Sequence, residues 1–133
     1  MKLKKTTEEE VVESSILMGR LATHKITQVD AGWRKFDIIF LKDLREEGEK
    51  CWGKIDFDKC ELFLEHDMDD SIARETILHE ILHIVLNLVG FDKEHTEGEI
   101  ISTNEEMVTR ITRGLMVLIN LNEKLFKILM NKV

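Results

Sequence analysis

The run His79-Glu80-Ile81-Leu82-His83 sets two imidazoles four residues apart, with a carboxylate beside the first. On an α-helix, residues four apart lie one turn above each other, so both rings can turn toward one metal ion. Glu80 is rotated about 100° from His79, close enough to reach a water on that ion. The spacing therefore names a site that activates water, without naming what the water attacks.

A catalytic zinc usually has three protein ligands and one open position, so the histidine pair must be completed from elsewhere. Ser102-Thr103-Asn104-Glu105 can start a helix, and Ser102 with Glu105 has capping-box spacing. Val108, Ile111, Leu115, Leu118 and Ile119 carry that helix toward Asn120. At 100° per residue, Glu105 lies about 80° from the middle of this apolar stripe and Glu106 on the opposite side, which favours Glu105 as the third ligand. Glu106 and His95 are the competing candidates; His95 sits in an acidic, glycine-containing loop over 91–103. Glu75, one turn before His79, can orient an imidazole or simply face solvent. For an oxyanion donor the chain has no Tyr, which leaves His95, His66 and Arg110.

The elements that must position these groups follow from pattern. From Ile77 onward apolar residues surround the histidines on almost every side except a stripe of Glu75, His79 and His83, which describes a buried helix. It is expected from about Asp70 to Val89, opened by the polar cluster His66 to Ser71 and stopped by a left-handed Gly90. Cys51 to Glu65 reads as a hairpin joined by Phe57-Asp58. Asp56 is expected opposite Lys59, Lys54 opposite Glu61, Trp52 opposite Phe63 and Cys51 opposite Leu64, a register with coherent charge and aromatic pairs. Trp33 to Leu41 reads as a strand with Phe36, Ile38 and Phe40 on one face. Lys42 to Lys50 reads as a solvated loop without chemistry. Thr7 to Ala22 reads as an amphipathic N-terminal helix behind an acidic first turn, covering one side of the core. Asn122 is expected to cap a last helix bearing Leu125, Phe126, Ile128 and Leu129.

Composition sets the outer limits. The 133 residues make one domain with one core, spanning 1–133 with residues 1–23 as an N-terminal helical extension. A net charge of −7 argues against a nucleic-acid partner. Apolar runs are too short for a membrane span, and Thr6 to Glu10 stand where a secretory signal needs an apolar stretch, so a cytoplasmic location is the default. The expected register keeps Cys51 away from Cys60, so two buried thiols are expected rather than a disulfide.

The runs Trp52 to Asp58, Glu75 to His83, Asn104 to Val108 and Arg113 to Leu115 together resemble the small zincin-like proteins common in phage and prophage genomes, over roughly Trp33 to Asn120. Those in turn resemble the glutamate-zincin branch of metallopeptidases. The resemblance implies an α+β, zincin-like fold: a small twisted, mainly antiparallel sheet packed on a buried active-site helix and followed by C-terminal helices, with the strand before that helix lining a substrate cleft. It implies zinc held by His79, His83 and Glu105, with Glu80 as general base, acting on a protein or peptide substrate inside the cell. A second expectation comes from another class. The acidic surface, small size and lack of Tyr also suit a non-catalytic zinc-binding regulatory or protein-interaction module of phage origin.

Overall fold

The computed structural model describes the backbone of residues 4–5, 15–90 and 104–130, and the side chains of 15–90, 107 and 109–130. In chain order the described elements are β1 (Lys4–Lys5), α1 (Ile16–Thr23), β2 (Gln28–Asp30), β3 (Lys35–Lys42), β4 (Arg45–Glu46), β5 (Glu49–Lys50), β6 (Gly53–Asp56) and β7 (Glu61–Glu65). The helices α2 (Asp70–Leu88), α3 (Asn104–Leu121) and α4 (Glu123–Leu129) follow. Five strands form one sheet and β4 with β5 a small ribbon, which makes an α+β architecture. No described helix is long and apolar enough to cross a membrane.

The sheet is mixed where a mainly antiparallel one was expected. β1 and β2 pair antiparallel with β3, but β3 pairs parallel with β7, from Asp37 beside Glu61 to Leu41 beside Glu65. β7 lies between β3 and β6, and Leu62 and Leu64 are completely buried. Among the described residues that leaves β6, antiparallel to β7, as the edge strand.

The β6–β7 register differs from the expected one by two residues. Asp56 faces Glu61, Ile55 faces Leu62, Lys54 faces Phe63 and Gly53 faces Leu64. Phe57 and Asp58 are poor in the positive-φ positions that a two-residue hairpin turn demands. The chain instead uses four loop residues: Lys59 donates its N–H to Asp56 Oδ1 at 3.0 Å, and Cys60 takes φ of 55°. A shift of two keeps every side chain on its expected face, because strand side chains alternate with period two. The expected Lys54–Glu61 pair is lost, and Lys54 Nζ stands 5.6 Å from the Phe63 ring centroid instead. Both cysteines are free thiols, half-buried rather than buried, and Cys60 Sγ accepts from Arg34 Nη2 at 2.8 Å.

Helix α1 begins at Ile16, with Ser15 as its N-cap accepting from Met18 N at 3.2 Å; the expected start of the N-terminal helix at Thr7 lies outside the described residues, as do all of residues 6–14. Leu17, Met18 and Leu21 are buried in the main core, so this helix belongs to the packing around α2. Ser15 Oγ also donates to Asp70 Oδ1 at 2.6 Å, and the Leu17 N–H reaches the same oxygen at 3.0 Å. The Ser15 hydroxyl chiefly holds the Asp70 carboxyl below its ordinary range. Asn122 is the N-cap residue of α4 as expected, but its side chain makes no capping hydrogen bond. Its Oδ1 accepts from Asp30 N, and its Nδ2 donates to the Asp30 and Leu118 carbonyls, each at 2.8 Å. Asn122 thus ties β2 to the end of α3, satisfying backbone groups that burial would otherwise leave unpaired.

The segment 42–50 is a built ribbon rather than a solvated loop. Leu44 is fully buried, and its N–H donates to Glu65 Oε1 at 3.0 Å. Burial pushes the Glu65 carboxyl up, but the His66 ring and the Leu44 and Asp67 N–H groups outweigh it and hold the carboxyl below its ordinary value of 4.5. A depressed carboxyl contributes stability above its unfolded pKa and loses it as pH falls through the folded one. Urea midpoints measured from pH 6 to 3 should therefore fall more steeply for the wild type than for Glu65→Gln below about pH 4.5; parallel curves would refute this.

Candidate metal centre

Helix α2 runs from Asp70 to Leu88, close to the span expected from sequence, with Asp69 as N-cap accepting from Ile72 N at 2.9 Å and Gly90 at φ of 84°. Its inner side is Ala73, Thr76, Ile77, Glu80, Ile81, Ile84 and Val85. The helix is not buried all round as expected: Leu78 and Leu82 are 41% and 42% exposed, beside the exposed His79 and His83. The histidines therefore sit at the boundary between core and cleft.

The two histidines converge as the four-residue spacing requires. Their rings meet edge to face at 4.8 Å between centroids, and Nε2 of His83 is 3.2 Å from Nε2 of His79. Two nitrogens each about 2.0–2.1 Å from one tetrahedral zinc stand about 3.4 Å apart, so this pair has the bite a zinc ion needs. Neutral imidazole nitrogens and a carboxylate are also the donor chemistry zinc accepts.

Glu80, one residue and about 100° around the helix from His79, lines the same cleft but is only 6% exposed. Edge strand β6 covers it at Gly53. A Cβ there would stand 2.8 Å from Thr76 Cγ2 and 3.2 Å from Glu80 Cγ, so the missing side chain is what lets strand and helix approach. Burial, and secondarily the Glu46 carboxylate, pushes the Glu80 carboxyl up to about 7. Glu46 comes from the β4–β5 ribbon, the segment to which sequence reasoning assigned no chemistry; one Glu beside Glu47 and Glu49 carries no distinguishing pattern. Burial, then Glu46, raises the neighbouring Cys51, keeping it a thiol.

These groups line a cleft of about 820 Å³ along β6, with walls that include Glu46, Gly53, Ile55, His79, Glu80 and His83. Its described cations are Lys54 and Lys59. His66 and Arg110, weighed as oxyanion donors, do not line it: His66 Nδ1 is 2.9 Å from Glu65 Oε2, and Arg110 reaches toward Gly90. His95 lies outside the described residues.

The carboxylates expected as a third ligand belong to α3, which crosses α2 closely. A Cβ on Gly114 would stand 2.8 Å from Val89 Cγ1 and 2.9 Å from Val85 Cγ1. The inward side of α3 holds Ile111, Gly114, Leu115 and Leu118, whereas Ile119 is 42% exposed. That side is turned about 45° from the stripe expected from sequence, so Glu105 and Glu106 stand at similar angles to it. Both belong to the first turn of α3 and their side chains lie outside the described set. Among the described residues, no third His, Cys, Asp or Glu joins His79 and His83 in a metal-holding group. Comparisons with protein-family models, curated proteins and solved structures returned no match.

Proposed function

We propose that this chain is a zinc-dependent peptidase with a zincin-like fold, hydrolysing peptide bonds of an intracellular protein substrate. The observation that carries the reading is the pairing of two imidazole nitrogens 3.2 Å apart with a buried carboxyl on the next residue, both opening on one cleft. His79 and His83 would hold the zinc, with Glu105 proposed as the third ligand and Glu106 and His95 as its competitors. When bound, zinc supplies a water acidified toward neutrality and a Lewis acid for the scissile carbonyl.

The chain's own residues do the rest. Glu80 takes the proton of that water on its carboxylate and later delivers it to the leaving amine, a transfer favoured when its pKa lies near the working pH. Gly53 and Thr76 close over the same side chain, so the proton is held out of bulk water. Strand β6 presents its outer edge along the cleft, where an extended peptide can pair with backbone N–H and C=O groups. Such pairing reads main chain, which suits a substrate class defined by being an unfolded or extended segment.

A panel of unfolded proteins incubated with the zinc-loaded chain should be cleaved, and a chelator should abolish cleavage, with zinc restoring it. Zinc binding without cleavage of any member would support the non-catalytic zinc-binding module instead.

A further inference from the structure

A second cavity, of about 340 Å³, meets the main cleft at Gly53, His79 and Glu80. Its other walls are Trp52, Ile72, Thr76 and Glu75. The indole of Trp52 is 41% exposed, and Lys50 Nζ stands 5.4 Å from its centroid, the contact an incoming cation makes with such a ring. The charged walls of this cavity are both carboxylates, Glu75 and Glu80, whereas the larger cleft mixes signs with Lys54 and Lys59. Glu80 is buried and committed to the cleft, while Glu75 is exposed and has no hydrogen-bond or ion-pair partner among the described residues. Glu75 does not orient the His79 ring there, one of the two roles its spacing suggested.

Building on the peptidase reading, we propose that this cavity receives the substrate side chain beside the scissile bond and selects arginine or lysine. The aliphatic stem lies along Trp52 and Ile72, and the cation meets Glu75 at the mouth. A cavity with Trp52 and Ile72 among its walls and the exposed Glu75 carboxylate beside them is what a long side chain with a charged tip fits, since the stem is desolvated while the head keeps a partner. A neutral side chain of equal length loses the ion pair, and an acidic one is repelled.

The test is binding, so that it does not depend on turnover. In the zinc-loaded full chain carrying Trp33→Phe, Trp52 is the sole tryptophan, and its fluorescence is titrated with two pentapeptides that differ only by arginine or citrulline at the central position. The arginine peptide should bind about tenfold more tightly. Glu75→Gln should erase that difference, and Glu123→Gln, an equal charge change on α4, should preserve it. Equal affinity for the two peptides, or a preference that survives Glu75→Gln, would overturn the proposal. Cleavage of the same peptides is scored separately: an arginine preference in binding without cleavage would sink the peptidase reading and leave the cation-selecting cavity standing.

Discussion

Glu80→Gln should lower peptide hydrolysis about 10³-fold while leaving zinc affinity essentially unchanged, because general acid–base catalysis by one positioned group contributes roughly 10²–10⁴-fold. Glutamine has nearly the same shape, so the close packing of this side chain beneath Gly53 survives the change. What it removes is the buried carboxylate, alone in that role among the described residues, that stands next to the histidine pair and can accept a proton from water and return it to the leaving nitrogen. The neutral amide also avoids placing an ionised group where burial disfavours charge, so the variant should fold at least as well as the wild type. The measurement is single-turnover cleavage beside zinc competition with a chromogenic chelator. Cleavage at wild-type rate by the variant would remove Glu80 from the mechanism. A parallel loss of zinc affinity would recast it as part of metal binding.

How much of this centre was legible in advance depended on the range of the interaction that fixes it. His79, Glu80 and His83 were legible because four-residue spacing on a helix is local geometry, and the helix carries its own start and stop signals in Asp69 and Gly90. Which face each hairpin side chain occupies was also legible, since alternation survives a two-residue slip. The register itself was not. It depended on how the chain turns at Phe57 to Cys60, where Asp56 and a left-handed Cys60 make a four-residue loop that pairing preferences alone do not reveal.

Longer-range features were less legible still. The parallel pairing of β3 with β7 depends on β6 being displaced to the edge, and the cause is the burial of Leu62 and Leu64 from both neighbouring strands. Asn122 holds the cap position its type favours, yet the half-buried N–H and C=O of Asp30 take its amide in place of a capping bond. Glu46 acts on Glu80 from a ribbon whose neighbouring Leu44 is held by the carboxylate of Glu65, twenty-one residues on. Each of these outcomes was decided by a partner distant in sequence, where a pattern of residue types carries no signal. The same holds for Gly53 and Gly114: their spacing is unremarked in the sequence, but each marks a place where two elements touch backbone to side chain.

His83→Ala carries the other large effect, and it tests the metal before any chemistry is invoked. Removing one of two converging nitrogens should weaken zinc binding by more than about 100-fold, since loss of even an outer-shell partner costs roughly 10–100-fold. His83 is exposed and outside the core, so the apo variant should keep the wild-type fold and midpoint. The two then separate on adding zinc: a ligand at 100 times its dissociation constant stabilises the folded chain by about 2.7 kcal/mol, so the wild type should gain several degrees in Tm and His83→Ala almost none. Applied to Glu105→Ala, Glu106→Ala and His95→Ala, the same thermal shift identifies the third ligand, because it alone should reproduce the loss seen with His83→Ala. Equal zinc-induced shifts in Glu105→Ala and the wild type would pass that role to Glu106 or His95. Retention of the full shift by His83→Ala itself would mean that the 3.2 Å approach of the two rings is a hydrogen bond between neutral imidazoles rather than a prepared metal bite.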